Sequence, residues 1–301
     1  MSKVCTVIIT GATGFLGRHV LEELANTNLK LLAITRDKSR ARIEPQMADV
    51  ALVDSHSTSE ELGDFFSAIQ GSVVLAHLAT HYSSAHSATD VEKLVEANIR
   101  FPLRLVDALT RAKPGSAIVN ISTLFQHFES KSYSPVSLYA ATKESFLKLL
   151  DFYAETHALK VVDVTIGDTY GVTDTRGKLM SLLISRVGSE KTLNLGSGLQ
   201  NMSLIHVSDA ARAVVKVLQE LDQIPSGSVW RVQVPPTDNI LVRDLIAEIE
   251  RISGKKVSCT FDAARDRWRE IYSPIVGLEQ LSGYSPKVDL VSGLKSMLEN
   301  L

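Results

Sequence analysis

Tyr139 and Lys143 stand four residues apart in the segment SPVSLYAATK, and their types and spacing indicate proton transfer. A helix that begins in this segment places both side chains on one face. A lysine ammonium beside a phenol favours the phenolate, which lowers the phenol pKa from about 10 and makes proton exchange near neutral pH feasible. The alternative is an ordinary exposed helix start, because this spacing also occurs by chance.

Ser122 and Thr123 follow a short apolar run, Ala117 to Ile121, that is typical of a central strand. Ligands bind at the carboxyl ends of the strands in open α/β sheets, so hydroxyls at this position can reach a substrate. Together with Tyr139, one of them can stabilise the alkoxide that develops when hydride reaches a carbonyl carbon. The hydride of such a reaction comes from a nicotinamide.

A glycine-rich segment, TGATGFLG, lies between an apolar run, Val4 to Ile9, and an amphipathic segment, Arg18 to Ala25. Strand, glycine turn and helix in this order are typical of a dinucleotide site. The first glycine allows the tight turn, the second lets a pyrophosphate approach the backbone, and the third lets helix and strand pack closely. The predicted cofactor contacts here are Gly11, Thr13, Gly14, Phe15, Leu16 and Gly17.

The end of the second predicted strand, Leu29 to Ile34, indicates which dinucleotide binds. Thr35 stands where an NAD-dependent enzyme carries an acid for the ribose 2′-hydroxyl, and Arg36 fits a 2′-phosphate. The sequence therefore predicts NADPH (NADP) as the cofactor, with NAD disfavoured. Two alternatives stay open: a solvated basic loop, and a one-residue shift that brings Asp37 to the ribose.

Two further strand ends supply candidate contacts. A third strand, Val50 to Val53, ends in polar residues that can accept a hydrogen bond from an adenine amino group, and small residues follow the fourth strand, Val73 to Leu78. The predicted cofactor contacts at these ends are Asp54, Ser55, Leu78, Ala79 and Thr80. His81 comes next and is predicted to face substrate, unless it is a solvated loop histidine.

Asn98 lies within residues 91–112, whose apolar positions recur at helical spacing. Asparagine is unfavourable inside a helix. Either Asn98 has a specific role, or it lies on the helix surface.

The alternation of strands and helices over about the first 166 residues positions these groups. It predicts an α/β fold with a Rossmann-like, doubly wound parallel sheet. We expect residues 1–166, with about 203–224, to form an NADP-binding domain. Residues 167–202 and 225–301 are expected to form a smaller mixed C-terminal cap that binds substrate.

Composition excludes several other classes of protein. The chain has 301 residues and a formal net charge of −2 without long charged blocks, so neither a nucleic acid nor a membrane is an expected partner. Two cysteines, Cys5 and Cys259, give neither a disulfide framework nor a metal site. With no signal peptide or long apolar run, we expect a cytoplasmic protein.

Six motifs together resemble one family. The segments ITGATGFLG, HLAT, VNIST, YAATK, GDTYG and IHVSD are similar to those of the extended short-chain dehydrogenase/reductases, the NAD-dependent epimerase/dehydratase superfamily. The resemblance implies that Thr123 is the catalytic hydroxyl and Tyr139 the acid/base. It also implies that Lys143 is the partner of Tyr139 and a ribose anchor, and that Asp54 meets the adenine.

A finer resemblance rests on STLFQHF and SPVSLYAATKESF. These segments are similar to those of the 4-ketoreductases of dideoxysugar synthesis, of the CDP-abequose and CDP-paratose synthase type. That resemblance implies NADPH-dependent reduction of the C4 ketone of a nucleotide-linked 4-keto-6-deoxy or 3,6-dideoxy hexose. Dehydratases of the superfamily carry Asp-Glu after the catalytic threonine, whereas Leu124 and Phe125 stand here, so dehydration is not expected.

Some positions depart from the family pattern. Met202 stands where many relatives carry an arginine for the nucleotide phosphates, and Asp168 replaces an asparagine. Arg265, Arg267 or Arg269 could supply the missing charge. The predicted substrate contacts are His81, Thr123, His127, Asp168, Met202 and Arg267.

Three other functions are open on the sequence. One is an NAD-dependent nucleotide-sugar 4-epimerase, another a reductase of a different small ketone, and the third a non-catalytic cofactor sensor that does not need the Tyr139–Lys143 pair. By analogy with the family, we expect a homodimer formed through residues 91–112 and 137–156.

Overall fold

The computed structural model describes residues 5–25, 27–35, 48–53, 57–83 and 87–301. Its strands are β1 (Cys5–Thr10), β2 (Lys30–Thr35), β3 (Asp49–Leu52), β4 (Ser72–His77), β5 (Ala117–Thr123), β6 (Lys160–Ile166), β7 (Asp168–Tyr170), β8 (Leu193–Leu195), β9 (Asn201–His206), β10 (Val229–Gln233), β11 (Asp238–Leu241) and β12 (Cys259–Phe261). Its α-helices are α1 (Phe15–Ala25), α2 (Ser59–Ala68), α3 (Ala88–Val95), α4 (Phe101–Ala112), α5 (Leu138–His157), α6 (Leu179–Ile184), α7 (Val207–Glu220), α8 (Val242–Ser253) and α9 (Leu290–Glu299).

The central sheet is parallel, and its described strands run in the order β10-β6-β5-β4-β1-β2-β3. Its strands are apolar runs because both faces are covered, and Val7, Ile8 and Ile9 of β1 have no exposed surface. The strand order reverses between β1 and β4, and ligands bind beyond the carboxyl ends of the strands at such a point. The predicted Rossmann-like fold is confirmed.

Helices cover both faces of this sheet. α1 and α7 pack against each other on one face, and their apolar sides bury the odd-numbered residues of β1 such as Val7 and Ile9. α2, α4 and α5 cover the opposite face, where Ile8 lies among the buried side chains of Phe66 and Phe146. No helix of the described segments is long and apolar enough to cross a membrane.

A smaller mixed unit follows the sheet, as predicted. β7 pairs parallel and β11 antiparallel with β9, and α6, α8 and α9 pack around a separate apolar core. β10, however, comes from the range 225–301 that was expected to form the cap, and it pairs with β6 at the edge of the central sheet. The domain boundaries otherwise stay a prediction. The C-terminal segment is tied back by Asp209, whose carboxylate accepts hydrogen bonds from the backbone N–H groups of Lys287 and Val288.

The segment predicted as one helix over 91–112 is three helical pieces. α3 begins earlier, at a capping box formed by Ser87 and Asp90. A π-helical turn, Glu96–Arg100, then joins it to α4. π-turns are rare and are found frequently at functional sites, and Asn98 lies within this one.

Candidate active site

A cavity of about 880 Å³ lies where the carboxyl ends of the central strands meet the smaller unit. Its walls include the glycine turn, the residues after β4, the end of β5, the start of α5, and the chain from β7 to the start of α6. The predicted residues that line it are Gly11, Thr13, Gly14, Phe15, Leu16, Gly17, Leu78, Ala79, Thr80, His81, Thr123, Tyr139 and Asp168. Most of the residues that the sequence singled out therefore share one space.

The glycine turn has the shape of a phosphate cradle. Gly11 has φ +70°, and a Cβ there would lie 2.6 Å from the backbone nitrogen of Ala79. A Cβ at Gly17 would lie 2.1 Å from the carbonyl oxygen of Gly11, so helix α1 can pack this closely only with glycine. α1 begins directly after Gly14, and its first N–H groups have no partner within the helix. These residues fit the pyrophosphate of a dinucleotide.

The residues predicted to select and bind the adenosine half are only partly described. Thr35 at the end of β2 lines the cavity, in the position where an acid would meet a ribose 2′-hydroxyl. Arg36, Asp54 and Ser55 lie outside the described residues. Thr35 is thus the described residue on which the predicted cofactor preference depends.

Tyr139 and Thr123 reach the cavity from neighbouring elements. Tyr139 lies in the first turn of α5, which begins at the cap residue Ser137. Thr123 ends β5, and its Oγ1 accepts a hydrogen bond of 3.3 Å from the backbone N–H of Phe125. A hydroxyl that accepts one bond keeps its O–H for another partner. Thr123 can therefore donate a hydrogen bond into the cavity.

Burial raises the pKa of Tyr139 to about 12, and the neighbouring phenol of Tyr82 acts in the same direction. A hydrogen bond with Thr80 and the charge of Arg176 lower that pKa but do not offset the lost hydration. The expectation that Lys143 brings the Tyr139 pKa below 10 is wrong in this structure, because desolvation of the phenol dominates. Tyr139 is accordingly in its proton-donor form at neutral pH.

Lys143 lies beneath the cavity rather than in its wall. Its side chain is 3% exposed, and it makes no hydrogen bond or ion pair with any described residue. Burial lowers the pKa of Lys143 to about 8, and the charge of Asp163 counteracts this. The predicted Tyr–Lys pair is therefore present on one helix, with the lysine one turn deeper than the tyrosine.

Asn98 has a specific role, and it does not lie on the helix surface. It is 1% exposed, and its Oδ1 accepts hydrogen bonds from the Thr80 hydroxyl at 3.0 Å and the His81 backbone N–H at 2.8 Å. Its Nδ2 donates to the His81 carbonyl oxygen at 3.0 Å and to Thr142 Oγ1 at 3.1 Å. Asn98 thereby fixes the loop after β4 against α5. The ring of His81 borders the cavity, and its buried Nε2 has no described hydrogen-bond partner.

Two basic residues at the cavity, Arg176 and Lys178, were missed by the sequence analysis. The Arg176 guanidinium lies 4.3 Å from the centre of the Phe15 ring and pairs with Asp174 at 2.6 Å. Lys178 Nζ lies 5.2 Å from the centre of the Tyr82 ring, and burial lowers its pKa. The signal available was the segment RGK shortly after the GDTYG motif.

Asp168 faces the same part of the cavity. Unlike a carboxylate at the surface, it is removed from water and lies near two basic side chains. Burial raises the Asp168 pKa, while the charges of Lys178 and Arg176 lower it. One acidic group, Asp168, and two basic groups, Arg176 and Lys178, therefore line the cavity where the chain from β7 to α6 forms its wall.

Three predicted substrate contacts are not brought to this cavity. Met202 on β9 is 9% exposed, and its side chain packs in the core of the smaller unit. Arg267 is exposed and faces Glu270 at 3.8 Å. His127 Nδ1 lies 3.2 Å from the carbonyl oxygen of Lys131 in a solvent-facing loop. None of the three lines the cavity because each is turned to its own local partner.

The arginines proposed as replacements for a phosphate contact are also placed elsewhere. Arg265 faces Asp262 at 3.9 Å on the surface. Arg269 donates a hydrogen bond to the carbonyl oxygen of Pro135, and its guanidinium lies 5.4 Å from the centre of the Phe128 ring. Arg269 therefore ties the C-terminal segment to the loop before α5.

Comparisons with known proteins agree with this architecture. The model of the NAD dependent epimerase/dehydratase family matches residues 7–232. The chain is 25% identical over 300 residues to CDP-abequose synthase of Salmonella typhimurium, with 98% of each chain covered. It is 21% identical over 290 residues to a dTDP-4-dehydro-6-deoxy-D-allose reductase of a Streptomyces species, with 86% of this chain and 85% of that protein covered. The resemblance predicted from the motifs is confirmed.

Solved structures show the same fold. MoeE5 in complex with UDP-glucose and NAD superposes with a TM-score of 0.82 at 22% identity, and 98% of each chain is covered. The UDP-glucuronic acid 4-epimerase of Bacillus cereus, in complex with UDP-glucuronic acid and NAD, gives 0.83 at 21% identity and the same coverage. At these identities the likeness establishes the fold only. The reaction has to be inferred from the residues of the cavity.

Proposed function

The chain belongs to the NAD dependent epimerase/dehydratase family, and we propose that it is an NADPH-dependent nucleotide-sugar 4-ketoreductase. Its substrate would be a nucleotide-linked 4-keto-6-deoxyhexose, or the 3,6-dideoxy counterpart, and its product the C4 alcohol used in deoxysugar biosynthesis. The observation that carries the proposal is that Tyr139 and Thr123 share one cavity with the glycine turn. The apolar pair Leu124 and Phe125 beside them cannot remove a proton, which disfavours dehydration.

Each of the residues at the cavity would have a separate role in ketone reduction. NADPH, when bound, supplies the hydride. Tyr139 donates its phenolic proton to the ketone oxygen, and the Thr123 hydroxyl donates a hydrogen bond to the same atom. The charge of Arg176 then favours the phenolate that remains, and the Lys143 ammonium, one turn further along α5, is proposed to act in the same direction. Asn98 accepts a hydrogen bond from the Thr80 hydroxyl and so holds Thr80 next to Tyr139, where its oxygen can accept a hydrogen bond from the phenol.

Binding of the nucleotide diphosphate requires positive charge, and Arg176 and Lys178 are placed to supply it. Both line the cavity near Asp168, whereas Met202 is turned into the core of the smaller unit. Arg176 is already paired with Asp174, so its charge is partly neutralised. The Lys178 side-chain amine makes no hydrogen bond to any described residue, so Lys178 is the stronger candidate for a direct phosphate contact. His81 and Asp168 would face the sugar.

Thr35 at the end of β2 supports the proposed preference for NADPH, because a hydroxyl at this position does not repel a 2′-phosphate as a carboxylate would. Arg36 is the next residue in the sequence and supports the same choice. The relatives named as CDP-abequose synthase and as a dTDP-keto-sugar reductase favour reduction of a nucleotide-linked sugar.

The second candidate is an NAD-dependent nucleotide-sugar 4-epimerase, which the fold likeness to epimerases in complex with NAD favours. An epimerase oxidises and re-reduces the same carbon, so it consumes no net cofactor. We would offer CDP-, dTDP- and GDP-linked 4-keto-6-deoxyhexoses with NADPH or NADH and follow the absorbance of the reduced nicotinamide. A stoichiometric fall with NADPH supports the reductase. Tightly co-purified NAD and no net consumption would support the epimerase.

We also propose a homodimer formed through residues 91–112, from the middle of α3 to the end of α4, and residues 137–156, which hold most of α5. Phe152 on α5 is 54% exposed, and Val91 on α3 is also exposed. Apolar side chains of this size on neighbouring helices fit a contact between two copies. The mass of the protein in solution, measured for wild type and Phe152→Glu, tests this arrangement.

A further inference from the structure

A buried polar cluster lies below the cavity, on the sheet face that α5 covers. Asn120 of β5 and Asp163 of β6 stand directly opposite each other in the sheet. Asn120 Nδ2 donates to Asp163 Oδ1 at 2.6 Å, and the Ser122 hydroxyl donates to the same oxygen at 2.7 Å. Asp163 is 1% exposed and interrupts the otherwise apolar run VVDVTI. An ionised carboxylate at such a depth is costly unless an opposite charge faces it.

Lys143 is the buried cation on the helix that covers this cluster. It lies on α5, which packs across β5 and β6, and it is buried without a hydrogen-bond or ion-pair partner among the described residues. Burial lowers the pKa of Lys143 to about 8 and raises the pKa of Asp163, and the charge of each group counteracts the shift of the other. The two groups therefore favour each other's charged form from neighbouring layers of the fold.

The other ionisable groups around the pair do not replace either partner. His77 on β4 is neutral, since burial and the charge of Lys143 lower its pKa to about 3. Arg231 on β10 also lowers the Asp163 pKa, but its guanidinium is paired with Asp151 at the surface. On α5 itself, Glu144 is engaged by Gln126. Among these neighbours, Asp163 is thus the acid that acts on Lys143.

We propose that Asp163 is a positioning residue, whose buried carboxylate keeps Lys143 charged beneath Tyr139 while Asn120 and Ser122 hold that carboxylate in place. Asp163 touches neither the cavity nor any reacting atom, and it acts through Lys143. The assignment rests on the proposed function, because it concerns the lysine that stabilises the phenolate left after proton donation.

The matched variants Asp163→Asn and Asp163→Glu test this role. Without the carboxylate charge, Lys143 loses its proton at lower pH. The pH above which kcat/KM for ketone reduction falls is therefore expected to be lower by about one pH unit. At about pH 9 we expect D163N to be roughly tenfold slower than wild type, and at about pH 6 to agree within about twofold. D163E retains the charge, so its kcat/KM is expected to fall at the same pH as that of wild type. An equal loss at every pH, or a fall of kcat/KM in D163N at the wild-type pH, would overturn the proposal.

Two further measurements keep the test decisive. If D163N does not fold, Asn120→Leu removes a donor from the carboxylate and is expected to lower the pH at which kcat/KM falls by a smaller amount. Unfolding midpoints of D163N, Lys143→Met and the double variant test the pair without substrate. The double variant is expected to lose less stability than the two single variants lose together. Additive losses of stability would contradict the pairing. Absence of ketone reduction by wild type would instead refute the proposed function. The unfolding measurements on the three variants would still test the Asp163–Lys143 pairing.

Discussion

Substitution of Asn98 by alanine tests how the cavity is held together. The Asn98 side chain uses both acceptor and both donor positions, in four hydrogen bonds of 2.8 to 3.1 Å to Thr80, His81 and Thr142. Alanine removes all four and leaves the backbone N–H and C=O of His81 without these partners. The loop after β4 then loses its fixed position relative to α5.

The expected cost follows from the burial of these groups. An unsatisfied buried polar group costs about 1–3 kcal/mol, but the loop borders the cavity, where water can replace part of what is lost. We therefore expect N98A to lower the free energy of unfolding by about 2–4 kcal/mol. Displacement of Thr80 by about 1 Å also disturbs Tyr139, so kcat/KM is expected to fall by about 10- to 100-fold.

Urea unfolding followed by circular dichroism, and reduction of the keto-sugar by NADPH, measure these two effects. The matched control is Thr142→Val, which removes one of the four hydrogen bonds, together with the bond from the Thr142 hydroxyl to the Tyr139 carbonyl oxygen, and leaves the loop contacts intact. It is expected to lose about 1 kcal/mol of stability. If N98A matched wild type within about 0.5 kcal/mol and about twofold in kcat/KM, Asn98 would not position the loop.

Other measurements test separate parts of the site. Because the Tyr139 pKa is about 12 and the Lys143 pKa about 8, kcat/KM for ketone reduction should be level below pH 8 and fall above it as the lysine loses its charge; a loss confined to acidic pH would contradict this. Lys178→Met should raise KM for the nucleotide sugar about tenfold with kcat nearly unchanged, since about 1.4 kcal/mol of uniform binding is lost. Unchanged KM would remove Lys178 from the phosphate site. Thr35→Asp should lower the ratio of kcat/KM for NADPH to that for NADH by at least about tenfold, and an unchanged ratio would show that Thr35 does not face the ribose.

Local sequence patterns predicted the glycine turn, Thr123 and Tyr139, because each of these lies within a strand-turn-helix unit or at the end of one strand or helix. Gly11 and Gly17 lie within one strand-turn-helix unit, and a motif of this kind determines its own geometry. Thr123 and Tyr139 each lie at the end of a strand or the start of a helix, and the parallel sheet brings such ends to one edge.

The rest of the site depends on how distant segments pack, which local patterns do not determine. Arg176 reaches the cavity because the chain after β7 folds back against Phe15, and only the packing of the smaller unit decides this. Met202 faces the core because of its register in β9, and a shift of one residue would turn it to the other face. The sequence analysis assigned β10 to the cap with the rest of residues 225–301, because strand composition does not reveal which sheet a strand joins.

One signal in the sequence was available and not used. Asp163 interrupts an apolar strand, and a buried carboxylate in such a run indicates a partner of opposite charge. Lys143 was identified from the YAATK motif, but the proposed pairing with Asp163 depends on the packing of α5 across β6, which the sequence does not reveal.

The most direct test of the central claim is the reduction of a CDP-linked 4-keto-6-deoxyhexose by NADPH, measured for wild type and Tyr139→Phe. We expect wild type to consume NADPH and form the C4 alcohol. Y139F should bind NADPH and sugar nucleotide with little change but react at least about 100-fold more slowly, because it lacks the proton donor. If Y139F reacted at the wild-type rate, Tyr139 would not donate the proton and the account of the site would be wrong.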